Sequence, residues 1–227
     1  ADGAIRRNGR VWIDTDPLDD PELFKPFAYE APNGRVTEDL GAARPHILGE
    51  LTWPDAKRRL QDVDIALLPI GAIEQHGPHL PLDTDAFDAD LLARRVADAC
   101  SDPKPLVLPL IPYGVSYHHD DFPGTISVGN EALSKMVYDI GMSCARHGVT
   151  KLVIVNGHGG NAPTLEFAAQ LINRDANIFT AVDTGETSDV DLAEVCDTPN
   201  DVHAGEFETS TALAVRPDLV RMERAES

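Results

Sequence analysis

Short apolar runs alternate with longer amphipathic segments from residue 51 to residue 215, and this alternation limits the folds open to the chain. The apolar runs predict strands at residues 64–70, 106–111, 151–156 and 178–182. The segments between and around them predict helices at residues 53–60, 86–100, 131–147, 163–174 and 207–215. Apolar strands that alternate with helices indicate a largely parallel sheet covered on both faces. We therefore expect a three-layer α/β/α fold.

The first 50 residues lack this alternation. They are rich in Pro, Gly and acidic residues, and they contain one predicted strand at Arg10–Ile13. We expect residues 1–50 to form an irregular N-terminal arm and residues 51–227 to form one α/β domain with a sizeable core. Three aromatic residues between positions 24 and 29 leave two interpretations open: the arm packs on something, such as a neighbouring subunit, or it is a loosely ordered tail.

Charge and cysteine content exclude several classes of protein. Thirty-eight acidic and nineteen basic residues give a net charge of −19, which repels nucleic acid and anionic membranes, so we expect neither as a partner. Three widely spaced cysteines, with no Cys-x-x-Cys pair, indicate neither a disulfide framework nor a structural zinc site. The sequence shows no signal-peptide apolar region at its start and no run near the ~18 apolar residues of a membrane span. We expect a cytoplasmic protein.

The segment Leu67–Asp85 begins as an apolar strand and ends in a loop rich in groups that bind cations. Glu74 and His76 are two residues apart, so in an extended chain their side chains leave on the same side. Asp85 follows beyond a turn that contains two prolines. Each residue alone would fit a polar loop with a helix-capping Asp. Two carboxylates and an imidazole together suit Zn²⁺, Mn²⁺ or Fe²⁺.

Two further clusters match the first: Asn156-Gly157-His158-Gly159-Gly160-Asn161, and His203-Ala204-Gly205-Glu206-Phe207-Glu208-Thr209-Ser210. The loops that follow residues 70 and 155 leave the carboxyl ends of predicted parallel strands, which is the edge where α/β sheets bind ligands. The Gly-rich loop could instead cradle a phosphate at a helix N-terminus, but the lysine of a phosphate-binding motif is absent. The pattern favours a metal site.

The three clusters, in this order, resemble the creatininase (creatinine amidohydrolase) family over roughly residues 51–220. The resemblance implies a metal-dependent hydrolase with two divalent ions per chain (zinc, manganese or iron), acting on a small molecule, in a homo-oligomer that is a hexamer by analogy. It implies Glu74, Asp85 and His158 on one ion and His76 and Asp85 on the other, with Asp85 bridging. Two ions can lower the pKa of a bridging water toward neutrality and polarise a carbonyl at once.

The sequence departs from creatininase at Gly160, where that enzyme has a Glu two residues after the motif histidine. A replacement carboxylate is therefore expected, and we nominate Glu206, with Glu208 as the alternative. Glu206 could instead be a first-turn acid favoured by the helix dipole. Glu208 is otherwise expected to hydrogen-bond to a metal ligand.

The resemblance also assigns residues around the metal site. His203 aligns with the family histidine that moves protons to the leaving nitrogen, a role suited to an imidazole. It could instead anchor the helix that follows. Ser116 and His119 match substrate-side positions, and we expect them to contact substrate.

Creatinine itself is not the expected substrate, because Gly159 replaces a family Tyr and both tryptophans lie outside the motifs. We expect hydrolysis of a small cyclic amide, a formamide or a related carbonyl compound. The alternatives are a keto-inositol (inosose) ring-opening hydrolase, an inactive metal-binding relative and a structural single-zinc protein. The predicted ligands Glu74, His76, Asp85 and His158 are all present, which favours an enzyme.

Overall fold

The computed structural model describes residues 4–7, 10–13, 44–183, 196–198 and 201–225. The chain divides into two compact units, Ala1–Gly41 and Ala42–Ser227. In the first unit, β1 (Ala4–Arg7) pairs antiparallel with β2 (Arg10–Ile13). The strand predicted at Arg10–Ile13 is confirmed, and its partner was not predicted. The three aromatic residues between positions 24 and 29 lie outside the described residues.

The second unit alternates strands and helices as the sequence predicts. Its strands are β3 (Ile65–Ile70), β4 (Leu106–Val107), β5 (Lys151–Asn156) and β6 (Phe179–Asp183). Its helices are α1 (Trp53–Asp62), α2 (Thr84–Ala99), α3 (Asn130–Arg146), α4 (Ala162–Asp175) and α5 (Glu206–Val215). Short 3-10 turns span Leu48–Glu50, Tyr117–His119, Gly159–Asn161, Pro217–Leu219 and Met222–Arg224.

The four strands form one parallel sheet in the order β4-β3-β5-β6. Successive side chains of β3 point to opposite faces of this sheet. Leu68 and Ile70 pack in a core with residues of α3 and α4, whereas Leu67 packs in a second core with Ala93 and Ala97 of α2. Burial of each large apolar side chain contributes about 1.5–3 kcal/mol, so both faces need their helices. The predicted three-layer α/β/α fold is confirmed.

Two predicted element boundaries are wrong, for local reasons. The strand predicted to run to residue 111 ends at Val107: the Leu108 N–H still donates to the Leu67 carbonyl, but the next bond to β3 comes only from the Ile111 N–H to the Pro69 carbonyl, at a bridge between Ile111 and Ile70. Helix α2 begins at Thr84, so the predicted caps Thr84 and Asp85 lie inside its first turn, and Asp83 holds the N-cap position. The Asp85 carboxylate is therefore free for other contacts. Among the described residues, no helix is long and apolar enough to cross a membrane.

Candidate metal centre

Two glycines bring the first turn of α2 against the ends of the central strands. Gly71 follows β3 and Gly157 follows β5. A Cβ atom at Gly71 would lie 2.3 Å from the Ala86 Cα, and a Cβ at Gly157 would lie 2.4 Å from the Asp85 carbonyl oxygen. Only glycine permits so close an approach of two backbones. Asp85 is thereby placed at the carboxyl edge of the sheet, between the two motif loops.

Asn161 ties three loops together beneath this edge. Its side chain is fully buried: Oδ1 accepts a hydrogen bond from the Val115 N–H at 2.9 Å, and Nδ2 donates to the Gly71 carbonyl at 3.0 Å. Nδ2 also donates to Asn156 Oδ1 at 3.3 Å. The sequence predicts Asn161 as the cap of α4, and it does hold the N-cap position, but its side chain makes no capping hydrogen bond. It fixes the loops that carry the candidate ligands.

The four predicted ligands Glu74, His76, Asp85 and His158 converge at this edge, and all are buried. His76 Nε2 lies 2.8 Å from Asp85 Oδ1, and His158 Nδ1 lies 2.9 Å from Asp85 Oδ2. His158 Nδ1 is also 3.4 Å from Glu74 Oε1. The two oxygens of Asp85 thus face different histidines, which is the arrangement expected of a carboxylate that bridges two ions.

Buried oxygens without hydrogen-bond partners mark the same cluster. Neither carboxylate oxygen of Glu74 has a partner, and Asp85 Oδ2 accepts no hydrogen bond of good geometry despite its closeness to His158 Nδ1. A buried charged group without a partner costs free energy, which bound cations would offset. Three of the ligands, Glu74, His76 and Asp85, offer donor atoms within 4.8 Å of one another. The residues therefore fit the divalent ions that the sequence predicts.

Backbone carbonyls orient the two histidines. His76 Nδ1 donates to the Glu74 carbonyl at 3.1 Å, and His158 Nε2 donates to the Val115 carbonyl at 2.9 Å. In each ring the other nitrogen then faces Asp85. Hydrogen bonds of this kind fix the tautomer and the ring orientation of metal-binding histidines.

The two histidines of the cluster have raised pKa values. Burial lowers the pKa of His76, but the hydrogen bonds to Asp85 and Glu208 outweigh it and raise the pKa to about 10. Burial likewise opposes a raised pKa at His158, which the Asp85 carboxylate causes. Burial raises the pKa of Asp85, but the adjacent His158 and His76 imidazoles bring it below its usual value. Metal binding at this cluster must therefore displace protons.

The predicted proton carrier and one predicted substrate contact lie beside the cluster. His203 Nδ1 is 3.6 Å from Glu74 Oε1, and its ring stacks on that of His119 with centroids 4.6 Å apart. His119 Nε2 is 3.9 Å from Glu74 Oε1. Ser116, the other predicted substrate contact, is fully buried with its Oγ 3.4 Å from His158 Nε2. Ser116 therefore contacts His158 at the ring nitrogen that faces away from Asp85, whereas His119 lies beside Glu74.

The two candidate carboxylates of α5 lie in different surroundings. Glu208 Oε1 is 3.7 Å from His76 Nε2, and its other oxygen accepts the Ala204 N–H. Glu206 Oε2 accepts the Thr198 N–H at 2.7 Å, and hydrogen bonds from the Thr198 side chain and from the Asp197 and Thr198 backbone lower the pKa of Glu206. Among the described residues, Glu208 belongs to a group able to hold a metal, whereas Glu206 belongs to none. The described contacts therefore support Glu208 and give no support to the prediction for Glu206.

Sequence reasoning passed over two residues of the site. The Gln75 side-chain nitrogen lies 2.9 Å from both His119 Nδ1 and His203 Nε2, so it links the two rings. His118 Nε2 lies 3.8 Å from Glu74 Oε2. Gln75 stands between Glu74 and His76 in the motif, a position that could have drawn attention to it. No sequence signal separates His118 from surface histidines.

Comparisons with known proteins agree with this site. The family model of creatininase, described as creatinine amidohydrolase, matches residues 49–227. The mycofactocin precursor peptide peptidase of Mycolicibacterium smegmatis is 39% identical over 70% of this chain, which spans 60% of that protein. The creatinine amidohydrolase of Pseudomonas putida is 30% identical over 78% of this chain and 74% of its own length.

A solved structure of a mutant creatininase, described as of Zn-Zn type, superimposes with a TM-score of 0.72 at 30% identity, over 81% of this chain and 78% of that one. The two relatives are named as hydrolases, a peptidase and an amidohydrolase. The family match, the identities and the shared fold lead to one assignment. The chain belongs to the creatininase family.

Proposed function

We propose that this chain is a hydrolase that cleaves a carbon–nitrogen amide bond with two divalent ions. The observation that carries the proposal is the buried Glu74 carboxylate, which has no hydrogen-bond partner and lies within 4 Å of histidine nitrogens. Removal of these groups from water is costly unless cations complete the site. The donor set of carboxylates and imidazoles suits zinc or manganese.

We assign the ligands to two metal positions, and the distances between them support this assignment. Glu74, Asp85 and His158 would hold one ion, and His76 and Asp85 the other, with Asp85 shared. Glu208, 3.7 Å from His76, takes the place of the carboxylate that Gly160 lacks. When bound, the ions would supply an activated water and polarise the substrate carbonyl.

His203 is the proton carrier of the proposed reaction. Its Nε2 donates to the Gln75 carbonyl at 2.8 Å, so its Nδ1 is the nitrogen that faces the cluster, 3.6 Å from Glu74 Oε1. An imidazole held this way can take a proton at Nδ1 and deliver it to a leaving nitrogen. Gln75 holds the His203 ring through its backbone carbonyl, and its side-chain N–H donates to His119 Nδ1 at 2.9 Å.

The rim of the site favours a peptide as the amide substrate. Tyr117, Phe122 and Ile126 are each about half exposed on the loop that carries His119, and Phe122 contacts the His119 ring edge to face. Apolar side chains left open beside a polar centre mark a binding surface for an extended ligand. A peptidase at 39% identity agrees with this. A small cyclic amide or formamide is the second candidate, favoured by the creatinine amidohydrolase relative.

The proposal is tested with purified protein loaded with zinc or manganese. Unstructured peptides, creatinine, formamides and an inosose are incubated with it, and products are followed by mass spectrometry with and without a chelator. We expect peptide cleavage that requires metal and is lost in Glu74→Gln. Glu166→Gln, an exposed acid on α4, is the matched control and should retain activity. Hydrolysis that survives both the chelator and Glu74→Gln would contradict the proposal, and cleavage of the inosose alone would favour the ring-opening alternative.

The cytoplasmic location and the homo-oligomer expected from the family stay predictions. The second is measured directly by light scattering of the purified chain.

A further inference from the structure

The 3-10 turn Tyr117–His119 carries His118 as well as His119, and it places His118 beside the candidate metal-binding residues. The ring of His118 lies parallel to that of His158, within 3° and with centroids 5.6 Å apart. His118 Nε2 approaches Glu74 Oε2 at 3.8 Å, whereas His158 Nδ1 approaches Glu74 Oε1 at 3.4 Å. The two rings therefore flank one carboxylate, each beside a different oxygen.

The loop that carries His118 also leaves no space for a side chain at position 160. A Cβ atom at Gly160 would lie 2.4 Å from the Val115 carbonyl oxygen and 2.5 Å from His158 Nε2. That carbonyl accepts the hydrogen bond that orients His158, so it cannot move without loosening a ligand. A carboxylate from position 160, as in creatininase, does not fit this backbone. The same loop brings a histidine to the Glu74 side of the cluster instead.

We propose that His118 is a further metal ligand, which binds the ion held by Glu74, Asp85 and His158. The inference rests on the metal site of the proposed function. Donor atoms that bind zinc at about 2.0–2.2 Å in a tetrahedron lie roughly 3–4 Å from one another. The observed 3.4 and 3.8 Å separations from Glu74 match this spacing. His118 makes the donor set two imidazoles and two carboxylates, a set of four that suits zinc better than manganese at this position.

His119 is the rival on the same turn: its Nε2 lies 3.9 Å from Glu74 Oε1, but its other contacts are with Gln75 and His203. Its Nδ1 lies 2.9 Å from the Gln75 amide nitrogen, and its ring stacks on His203 rather than on His158. His119 therefore packs with His203, the proposed proton carrier. His118, with 54% of its side chain exposed, can reach an ion without disturbing the core.

The test compares metal binding in the full-length wild type, His118→Ala, His119→Ala and His147→Ala, the last an exposed histidine at the end of α3. Zinc affinity is measured by competition with a chromophoric chelator, and the visible absorption of the Co²⁺-loaded protein reports the coordination number. We expect His118→Ala to weaken one of two ions by more than the ~10–100-fold that loss of an outer hydrogen-bond partner costs. Its Co²⁺ spectrum should also change. His147→Ala should match the wild type.

Each result decides the matter. Two ions bound to His118→Ala with wild-type affinity and spectrum would overturn the role of His118 and leave the proposed function standing. Weakening in His119→Ala with none in His118→Ala would overturn it as well. A wild type that binds no metal would overturn the proposed function itself. Melting of the metal-free proteins checks folding, and His118→Asn, which keeps a polar side chain, repeats the test if His118→Ala unfolds.

Discussion

Replacement of Gly157 by alanine would test how the fold places the Asp85 carboxylate. The new Cβ would lie 2.4 Å from the Asp85 carbonyl oxygen and 3.1 Å from the Ala89 Cβ, both parts of α2. Backbone cannot give way as a flexible side chain can, so we expect an overpacking cost of about 1–3 kcal/mol. In a chain of this size each kcal/mol lowers the melting temperature by roughly 2–4 °C. The expected fall is therefore about 2–12 °C.

Gly159, two residues along the same loop, provides the matched control. A Cβ there would meet no atom within 4 Å, so Gly159→Ala should change stability by no more than about 0.5 kcal/mol. Thermal melting of both metal-free variants measures the difference. A zinc titration should then show weaker binding by Gly157→Ala alone, because the helix that carries Asp85 is pushed away. Equal melting temperatures and equal zinc affinities would refute the close-packing argument.

Three further outcomes follow from the charges of the site. Burial raises the pKa of Asp88 to about 6, above its usual 3.8, so ionisation of Asp88 opposes folding progressively from pH 4 to pH 6 and fully above. Asp88→Asn should raise the free energy of unfolding at pH 7 by about 1 kcal/mol, a value reduced because Asp88 is partly exposed to solvent. The same substitution should leave the free energy of unfolding unchanged at pH 3.5. A lower free energy of unfolding at pH 7 would contradict this prediction. Because His76 and His158 have raised pKa values, zinc binding at pH 8 should release protons. Calorimetry should then give binding enthalpies that vary with the ionisation enthalpy of the buffer. Binding enthalpies that do not depend on the buffer would contradict this prediction. Free zinc at 100 times its Kd should add about 2.7 kcal/mol of stability per site, reversed by chelator, whereas a melting temperature indifferent to zinc would count against a preformed site.

Local patterns in the sequence sufficed to predict the elements and the main residues that converge at the candidate site. The apolar run of β5 and its Asn-Gly-His ending predicted both the strand and the place of His158, because parallel strands end at one edge of a sheet. The strand predicted to residue 111 was too long, because the hydrogen bonds to β3 stop at Leu108 and resume only at Ile111.

Long-range contacts account for what the sequence did not predict. Glu206 and Glu208 are equivalent as first-turn acids, and only the packing of α5 brings Glu208 to His76 and leaves Glu206 on the Thr198 N–H. Local sequence shows Asn161 only as a helix cap. The partners of its side chain, Val115 and Gly71, are 46 and 90 residues away, so the sequence did not predict these contacts. No local periodicity encodes such contacts.

Counting metal ions per chain in the wild type and in Asp85→Asn tests the central claim most directly. Asp85 has one oxygen 2.8 Å from His76 Nε2 and the other 2.9 Å from His158 Nδ1, so both of the proposed ions would depend on it. Elemental analysis after incubation with zinc and dialysis should find two ions in the wild type and one at most in Asp85→Asn. A wild type that retains one ion or none, or an Asp85→Asn protein that retains two, would contradict a carboxylate-bridged pair.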